Sequence, residues 1–291
     1  MNNYQSRNTT RLPPWLKRDI AFSGRHSEVT DLISTHNLNT VCAEAKCPNR
    51  GECFSRGSAA FLILGSICTR NCAFCGVNFG QPKEVDFDEG KRLAAAAYSM
   101  GLKHVVVTSV TRDDLTDGGA GVFADTVKRL RDKIIGVTIE ALIPDFQGSA
   151  DSLATVLNSG PDVLNHNIET VPRLYPLIRP QAVYERSLEL LKRASDDGRA
   201  VVKSGIMVGF GETVGEVKNV LRDLRSAGCT VVTIGQYLRP SRNQIQVEEF
   251  ISPDQFKEYE KTALDMGFDS AFCGPYVRSS YHASEMYHLA P

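Results

Sequence analysis

From residue 60 onward, short apolar segments alternate with amphipathic segments that end in glycine. Six apolar segments, rich in Val and Ile, have the length of β-strands and cover 60–64, 104–110, 136–143, 162–168, 200–208 and 230–235. Helices are expected between and after them, over 88–100, 120–132, 150–158, 183–197, 214–227 and 253–266. Continuous apolar strands that alternate with helices are typical of a parallel sheet covered on both faces.

Six strand–helix units predict an α/β fold, a partial (six-stranded) open (β/α) barrel with N- and C-terminal extensions. A doubly wound sheet is the alternative. We expect an N-terminal extension over 1–58 that carries Cys42, Cys47 and Cys53, the barrel over 59–267, and a C-terminal extension over 268–291. The limits of the last helix follow from Ser252 as N-cap and Gly267 after its end.

Composition limits the classes of partner. Hydrophobic residues make up 42% of the 291 residues, charged residues make up 23%, and the formal net charge is −1. These values are those of an ordinary globular chain and provide no strongly basic surface for nucleic acid. The longest apolar runs are of strand length, so no membrane-spanning segment is predicted. We therefore expect neither nucleic-acid nor membrane partners.

The N-terminal segment MNNYQSRNTTRLPPWLKR lacks the apolar centre of a secretory signal. It is polar, contains no acidic residue and includes Arg7 and Arg11, so a vestigial transit peptide is one interpretation. A loosely ordered start is the interpretation that we adopt. The expected location is cytoplasmic, with a mitochondrion or plastid as the alternative.

The cysteines are unevenly distributed along the chain. Six of the eight lie between Cys42 and Cys75, whereas Cys229 and Cys273 stand alone and are expected to be packing residues. In a chain that is not secreted, thiols stay reduced, and clustered cysteines are more often metal ligands or redox groups than disulfides.

Cys68, Cys72 and Cys75 have the spacing C-x3-C-x2-C in the segment CTRNCAFC, directly after the first predicted strand. Thiolates are soft ligands that select iron–sulfur clusters, zinc or cuprous copper. A 4Fe–4S cube held by three thiolates keeps one iron open to bind a substrate or cofactor. A structural zinc site is the alternative, although such sites usually contain two well-separated cysteine pairs.

Cys42, Cys47 and Cys53 form a second set, with the spacing C-x4-C-x5-C in the segment CAEAKCPNRGEC. Three more cysteines so close to the first set suggest a second cluster. The alternatives are buried structural thiols or a small zinc knuckle, since a cysteine without a ligand role is often simply buried.

Polar residues are concentrated at the carboxyl ends of the predicted strands. They are Thr108–Ser109, Glu140, Asn165–His166–Asn167, Lys203–Ser204 and Gln236. In a parallel β/α fold, this end of the strands builds the binding site. Each residue alone is equally well explained as a helix cap or a loop residue, but together they predict a site on this face.

The segment CTRNCAFC, with the strand before it and the β/α pattern after it, resembles the signature of the radical S-adenosylmethionine superfamily. The segment GIMVGFGE (205–212) resembles a further element of that superfamily. The resemblance implies that the open iron chelates the amino and carboxylate groups of S-adenosylmethionine, whose one-electron reduction yields a 5′-deoxyadenosyl radical. The implied cofactor-binding residues are Phe74, beside the adenine, and Thr108, Glu140, Asn165, Glu169 and Arg179.

The two cysteine sets together resemble those of the lipoyl synthase family. Similar segments continue along nearly the whole chain: RLPPWLK (11–17), CPNRGECF (47–54), VTSVTRDDLTDGGA (107–120), LNHNIETV (164–171), SGIMVGFGE (204–212), IGQYLRPS (234–241) and GPYVRSSYHA (274–283). The resemblance implies two 4Fe–4S clusters, S-adenosylmethionine as cofactor, and radical insertion of two sulfur atoms at carbons six and eight of a protein-bound octanoyl chain.

The family also implies a serine ligand for the auxiliary cluster, in the RSSY segment immediately before its tyrosine. The implied ligand set here is Cys42, Cys47, Cys53 and Ser280. Serine is a harder and weaker ligand for iron than thiolate is, and a labile ligand suits a cluster that is consumed as sulfur leaves it. Without the resemblance, this serine is better explained as part of a C-terminal turn.

Arg278 precedes the serines and is expected to contact the substrate carbonyl or to stabilise the cluster loop, although alone it would be a solvated cation. Ser280 and Arg278 are the candidate catalytic residues. The implied partners are octanoylated lipoyl carrier domains (the glycine cleavage H protein and 2-oxoacid dehydrogenase acyltransferase subunits), an electron donor such as ferredoxin or flavodoxin, and a cluster-repair carrier. Three other functions stay open: another radical enzyme with an auxiliary cluster, an electron-transfer protein with two closed clusters, and a zinc-stabilised binding module.

Overall fold

Strands and helices alternate in a computed structural model that describes residues 11–17 and 23–289. The strands are β1 (Asn39–Thr40), β2 (Ala60–Ile63), β3 (Ile67–Cys68), β4 (Asn78–Phe79), β5 (His104–Ser109), β6 (Thr138–Leu142), β7 (Val163–Asn165), β8 (Val201–Val208), β9 (Val231–Gln236) and β10 (Ser270–Gly274). The helices are α1 (Gly24–Thr35), α2 (Val41–Glu44), α3 (Arg50–Ser55), α4 (Glu89–Ser99), α5 (Ala120–Lys133), α6 (Ala150–Asn158), α7 (Tyr175–Ile178), α8 (Tyr184–Asp197), α9 (Val214–Ser226), α10 (Pro253–Asp265) and α11 (Ala283–Leu289). Three short 3-10 helices cover Pro14–Leu16, Phe146–Gly148 and Pro172–Leu174.

One eight-stranded sheet has the order β1-β2-β5-β6-β7-β8-β9-β10. β1 is antiparallel to β2, and every other neighbouring pair is parallel. The predicted α/β class with a mostly parallel sheet is confirmed, but six strands is wrong. Within the described ranges the sheet ends at β1 and β10 and does not close into a barrel.

The two unpredicted strands of this sheet lie at its edges. β1 contains two residues in a polar stretch, too short to show any periodicity. β10 has the sequence SAFCG, whose small residues lack the Val and Ile that mark the other strands. Both strands are therefore specified by pairing with a preformed neighbour rather than by their own composition.

The six predicted helices are α4, α5, α6, α8, α9 and α10, with ends close to the predicted ones. The Ser252 side chain accepts a hydrogen bond from the backbone N–H of Gln255, so it caps α10 as predicted. The N-terminal region contains a helix, α1, where irregular structure was expected; Val29 is its buried residue. The predicted loose start falls mainly on residues 1–10 and 18–22, which lie outside the described residues.

Alternate residues of the central strands face opposite sides of the sheet. One side is apolar and belongs to the main core; it includes Val107, Ile139, Leu164 and Ile234. The other side carries buried polar residues at neighbouring positions: Thr108, Glu140, Asn165, Lys203 and Thr233. We call this second side the polar face; the functional cavity lies on it. None of the described helices has the length and apolar character needed to cross a membrane.

Candidate active site

A cavity of about 310 Å³ opens at the carboxyl ends of the parallel strands. Its walls come from both cysteine segments, from the ends of β5 to β9, and from the segment that follows β10. The predicted site residues that line it are Cys42, Cys47, Cys68, Cys72, Phe74, Cys75, Thr108, Glu169, Arg179, Arg278 and Ser280. Residues far apart in the sequence are therefore brought together around one space, as the strand-end argument predicts.

The first cysteine set starts with Cys68 at the end of β3 and continues on the loop between β3 and β4, which pair with each other in parallel. The backbone N–H of Gly80 donates to the carbonyl of Cys68 at 2.9 Å, which closes the base of the loop. Ala73, at the centre, donates its N–H to Ile178 O at 2.9 Å and accepts from the N–H of Ile245 at 3.0 Å. The loop is thus fixed at its base and its tip.

The buried side chain of Arg70 holds the same loop from within. Its guanidinium donates to Asp113 at 2.7 and 2.8 Å and to Asp145 at 2.6 Å. Arg186 donates to the other oxygen of Asp145 at 2.9 Å. Because bidentate arginine–carboxylate pairs restrict geometry strongly, Arg70 fixes the backbone between Cys68 and Cys72.

The three thiols fit ligation of an iron–sulfur cluster. Backbone N–H groups of Arg70 and Thr111 donate to the sulfur of Cys68 at 3.4 and 3.3 Å, which fixes the position of this thiol. Burial raises the pKa of Cys72, and it raises the pKa of Cys75 to about 12. Without a nearby cation these two groups would therefore stay protonated, whereas bound iron favours their thiolate forms.

No three His, Cys, Asp or Glu side chains in the described part of the chain converge so closely that they could hold a single metal ion. The ligands of a 4Fe–4S cube do not need to converge on one point, because each of the three thiolates binds a different iron at a separate corner of the cube. All eight cysteines are thiols rather than disulfides.

Three buried polar atoms without hydrogen-bond partners belong to residues that line the cavity. They are Ser109 Oγ, Asn167 Oδ1 and Arg179 Nε. Buried polar groups in proteins are almost always hydrogen-bonded, so unpaired ones around a cavity indicate a polar ligand. They include both donors and acceptors, which suits a zwitterionic ligand with amino, carboxylate and hydroxyl groups.

Glu169 and Arg179 form the charged part of this wall. Burial raises the pKa of Glu169, and the charge of Arg179 opposes that rise. Arg179 donates through Nη1 to the carbonyls of Asn167 and Ile168 at 3.0 and 3.1 Å. Glu169 has a φ of 68°, a left-handed conformation that a non-glycine residue adopts at a cost and that often marks a functional site.

The second cysteine set is divided between two short helices. Cys42 lies in α2, which is capped by Thr40: the Thr40 hydroxyl accepts from the N–H of Ala43 at 3.2 Å. Burial raises the pKa of Cys42 to about 11. Cys47 follows α2 and donates its N–H to the carbonyl of Cys42 at 3.1 Å. Cys53 lies in α3 and does not line the cavity.

The segment that contains Ser280 completes the cavity wall. Before it, Asn49 Nδ2 donates to Tyr276 O at 2.7 Å. After it, the hydroxyl of Tyr281 donates to Glu52 Oε1 at 2.8 Å. Because Asn49 caps the start of α3 and Glu52 lies within it, these bonds connect the serine segment to the helix that carries Cys53.

Two predicted cofactor residues, Glu140 and Asn165, lie below the cavity and do not line it. Asn165 Nδ2 donates to Glu140 Oε1 at 2.7 Å, and Lys203 Nζ donates to the same oxygen at 3.0 Å. Glu140 lies one layer deeper than Thr108 on the polar face, because Leu142, two residues farther along β6, is the residue that pairs with Thr108. Asn165 ends β7 and pairs with Leu142, and its side chain turns to Glu140 rather than lining the cavity. Direct contact with a cofactor stays a prediction for both residues.

Sequence reasoning gave no individual role to several residues that shape the cavity: Asn49, Arg70, Asn167 and Lys203. Asn49 and Arg70 lie inside the cysteine segments, where a buried role could have been sought. Lys203 was noted only as one of the strand-end polar residues, and its partners come from distant parts of the chain.

Comparison with known proteins agrees with this geometry. The family model described as the radical SAM superfamily matches residues 62–252. A lipoyl synthase from Caldanaerobacter subterraneus is 53% identical over 276 residues, which cover 94% of this chain and 96% of that protein. A lipoyl synthase from Rubrobacter xylanophilus is 48% identical, with 97% of this chain and 88% of that protein covered.

Solved structures support the fold. A methylornithine synthase structure aligns with a TM-score of 0.55 at 16% identity, over 86% of this chain and 74% of that one. The FeFe-hydrogenase maturase HydG from Carboxydothermus hydrogenoformans aligns with a TM-score of 0.61 at 16% identity, over 79% of this chain and 56% of that one. At such low identity these likenesses concern the fold alone.

The mostly parallel sheet, the three-cysteine loop after its first parallel strand and the superfamily match define a radical S-adenosylmethionine protein. Within that superfamily, the chain belongs to the lipoyl synthase family. The predicted family is confirmed.

Proposed function

We propose that this protein is a lipoyl synthase, which inserts two sulfur atoms at carbons six and eight of an octanoyl chain on a carrier protein. The observation that carries the proposal is the convergence of Cys68, Cys72 and Cys75 with Cys42, Cys47 and Ser280 around one cavity. Membership of the lipoyl synthase family supports the same reaction.

Cys68, Cys72 and Cys75 would hold one 4Fe–4S cluster and leave its fourth iron open for S-adenosylmethionine. When bound, this pair supplies a 5′-deoxyadenosyl radical that removes hydrogen from unactivated carbon. Phe74, Thr108, Glu169 and Arg179 all line the cavity. Phe74 would lie beside the adenine, Thr108 and Glu169 would contact the cofactor from the strand ends, and Arg179 would offer its unpaired Nε to a carboxylate. With cofactor and substrate bound, the apolar part of the cavity wall would help to exclude water from the reacting groups.

Cys42, Cys47, Cys53 and Ser280 would hold the auxiliary cluster that supplies the sulfur. Ser280 is the weakest of these ligands, because its oxygen is harder than thiolate sulfur. Ser280 would therefore be the ligand that gives way when iron has to leave the cluster. Arg278, on the same segment, provides a cation at the cavity wall that can hold the substrate carbonyl.

The lining suits an alkyl chain as well as a polar cofactor. Apolar side chains contribute to the cavity from four strands or their ends: Leu62, Val110, Leu142, Ile143 and Met207. A mostly apolar pocket with few polar groups is the usual form of a site for a small flexible ligand. An octanoyl chain on a lysine could extend into it while the carrier domain stays outside.

The expected partners follow from that reaction. They are octanoylated lipoyl carrier domains, the glycine cleavage H protein and the 2-oxoacid dehydrogenase acyltransferase subunits among them. The reaction also needs an electron donor such as ferredoxin or flavodoxin, and a cluster-repair carrier that restores the auxiliary cluster. We propose the cytoplasm as the location.

The first test is conversion of an octanoyl-lysine peptide with reductant and S-adenosylmethionine, read by mass spectrometry. Wild-type protein should bind about eight irons per chain, as two cubanes require, and give the dithiolated product. Ser280→Cys should keep that iron and lose turnover, because a thiolate would retain the iron that must leave. Ser279→Cys is the matched control and should keep turnover.

The result that contradicts the proposal is equally specific. Absence of thiolated product from iron-loaded wild-type protein would favour another radical enzyme. Cluster spectra unchanged by S-adenosylmethionine would favour an electron-transfer protein, and zinc in place of iron and sulfide would favour a binding module. Full turnover in Ser280→Cys would exclude a labile serine ligand.

A further inference from the structure

A buried ion pair lies on the polar face of the sheet, directly below the cavity. Lys203 Nζ is 3.0 Å from each carboxylate oxygen of Glu140, and the two side chains are 2% and 1% exposed. Asn165 Nδ2 adds a hydrogen bond to Glu140 at 2.7 Å. The three residues come from β8, β6 and β7, which are neighbours in the sheet.

Stability alone does not account for this pair. Removing two charges from water costs several kcal/mol each, and apolar replacements of buried pairs are often neutral or stabilising. The proposed chemistry does not use the pair either, because neither side chain lines the cavity. Its role must therefore be sought in what else it contacts.

The third contact of Lys203 is with the C-terminal segment. Its Nζ donates to the backbone carbonyl of Ser279 at 2.6 Å. An ammonium group has three N–H donors, and the two Glu140 oxygens with this carbonyl satisfy all three. The pair thus connects the centre of the sheet to the peptide unit that joins Ser279 to Ser280.

Other contacts direct the same segment across the polar face. Asn167 Nδ2 donates to Ser279 Oγ at 3.2 Å. At Gly235 in β9, a Cβ would lie 2.0 Å from the carbonyl oxygen of Val277, so only glycine lets this backbone approach so closely. Farther along, the Tyr287 ring lies 6.1 Å from that of His104 at the start of β5.

We propose that Glu140 and Lys203 are positioning residues that fix the backbone at Ser279 and thereby the location of Ser280 beside the auxiliary cluster. The Glu140 carboxylate fixes the Lys203 ammonium, and the ammonium in turn donates a hydrogen bond to the carbonyl of Ser279. Neither side chain lines the cavity, so in this proposal the pair acts through the backbone of Ser279. The inference rests on the proposed role of Ser280 and deepens it, since it explains how a weak ligand is kept in place without a strong bond to iron.

A purely structural role predicts a different response to mutation. If the pair only stabilised the fold, its loss would weaken the whole sheet. If it positions the serine, its loss should loosen residues 276–285 more than the strands and helices. Local hydrogen exchange separates these outcomes.

The experiment compares Lys203→Met with wild-type protein, both loaded with iron and sulfide. Lys192→Met is the control, because Lys192 forms an exposed pair with Asp196 on α8. In Lys203→Met, peptides covering 276–285 should exchange about ten- to a hundredfold faster, the range expected for loss of a hydrogen bond to a charged group. Because the substitution also leaves Glu140 buried without its cation, peptides from β6 and α9 can exchange faster as well, but the increase in 276–285 should exceed theirs.

Two chemical readouts accompany the exchange measurement. A chelator should take the first iron from Lys203→Met faster than from the control, because Ser280 is no longer held. Formation of 5′-deoxyadenosine should persist while sulfur insertion falls. If the wild type makes no thiolated product, the proposed function fails, but exchange and iron release still decide the positioning role.

The double variant Glu140→Gln/Lys203→Met serves if the single variant does not fold, because it leaves no buried charge. Exchange in 276–285 equal to that of Lys192→Met, in whichever variant folds, overturns the proposal. A uniform rise across the chain, or failure of both variants to fold, also overturns it, because the pair would then be a folding element.

Discussion

Replacing Arg70 by methionine tests whether the cysteine loop is held by its internal ion pairs. The guanidinium, whose side chain is 4% exposed, makes two bonds to Asp113 and one to Asp145. Methionine has nearly the same reach but no donor, so the substitution removes the three bonds with little change in packing. Asp145 keeps its contacts with Arg186 and with the N–H of Gln147.

The loss of stability expected for Arg70→Met depends on how well the carboxylates of Asp113 and Asp145 are compensated without the guanidinium. Removing one member of a buried ion pair usually costs about 3–5 kcal/mol, because the other charge stays buried and unpaired. Asp145 is wholly buried but retains Arg186, and Asp113 is partly exposed to water. We therefore expect the lower end, about 3 kcal/mol, in the free energy of unfolding at neutral pH.

The pH dependence gives an independent check. Burial alone would raise the pKa of Asp145, but the hydrogen bond and charge of Arg70 hold it well below its usual range. The carboxylate therefore contributes stability above its unfolded pKa of about 4, and loses it as pH falls through the lower folded value. Arg70→Met should show a shallower loss of stability in acid than wild type.

Urea denaturation at neutral and acidic pH measures both effects, and iron analysis shows whether the loop still binds its cluster. Arg129→Met, which breaks the exposed pair with Asp125, is the control and should change stability by less than about 1 kcal/mol. The reasoning is refuted if Arg70→Met costs no more than the control, or if its acid profile matches that of wild type.

Two further predictions concern the same face of the sheet. Burial, followed by the charge of Arg179, lowers the pKa of His166 to about 4. The unfolded state, with a pKa near 6.5, then binds more protons between about pH 4 and 6.5, so stability should fall by up to about 3 kcal/mol as pH drops through that window. Denaturation curves of His166→Gln should lack this slope; equal slopes would contradict the assignment. Gly235→Ala should lose about 1–3 kcal/mol by calorimetry because its Cβ would meet Val277 O at 2.0 Å. Gly274→Ala, whose Cβ would meet only a side-chain methyl of Val277 at 3.3 Å, should cost less, and equal costs would argue against a close backbone approach.

Local sequence patterns were sufficient to predict most strands of the sheet and the helices that cover it. The strands β2 and β5 to β9 are apolar runs whose sequence indicates burial on both sides, and Gly198 ends α8 in the left-handed conformation that favours glycine. β10 was missed because its composition does not differ from that of a loop. α1 was missed because few of its residues are buried, so it has only a weak apolar stripe.

The candidate site was predictable as a set of residues but not as a layered structure. Spacing identified both cysteine sets, and the strand-end argument placed Thr108 at the cavity. The strand-end argument could not tell that Thr108 lines the cavity whereas Glu140 lies below it. How deep a residue lies depends on the register of its strand with the neighbouring strands, which the sequence does not show. The bonds of Arg70 to Asp113 and Asp145 span 43 and 75 residues, so no local pattern reveals them.

The C-terminal position of the serine segment has a consequence for synthesis on the ribosome. Chains emerge from the N-terminus, so the strands from β2 to β9 are available to fold before Val277–Ser280 has been made. Until then the Lys203 ammonium lacks its third acceptor and the polar face is open to solvent. All six clustered cysteines precede this segment, and a nascent chain can present them before Ser280 arrives. In the proposed ligand set, Ser280 is therefore the last ligand to be synthesised, and the auxiliary cluster would gain its fourth protein ligand only after the other three.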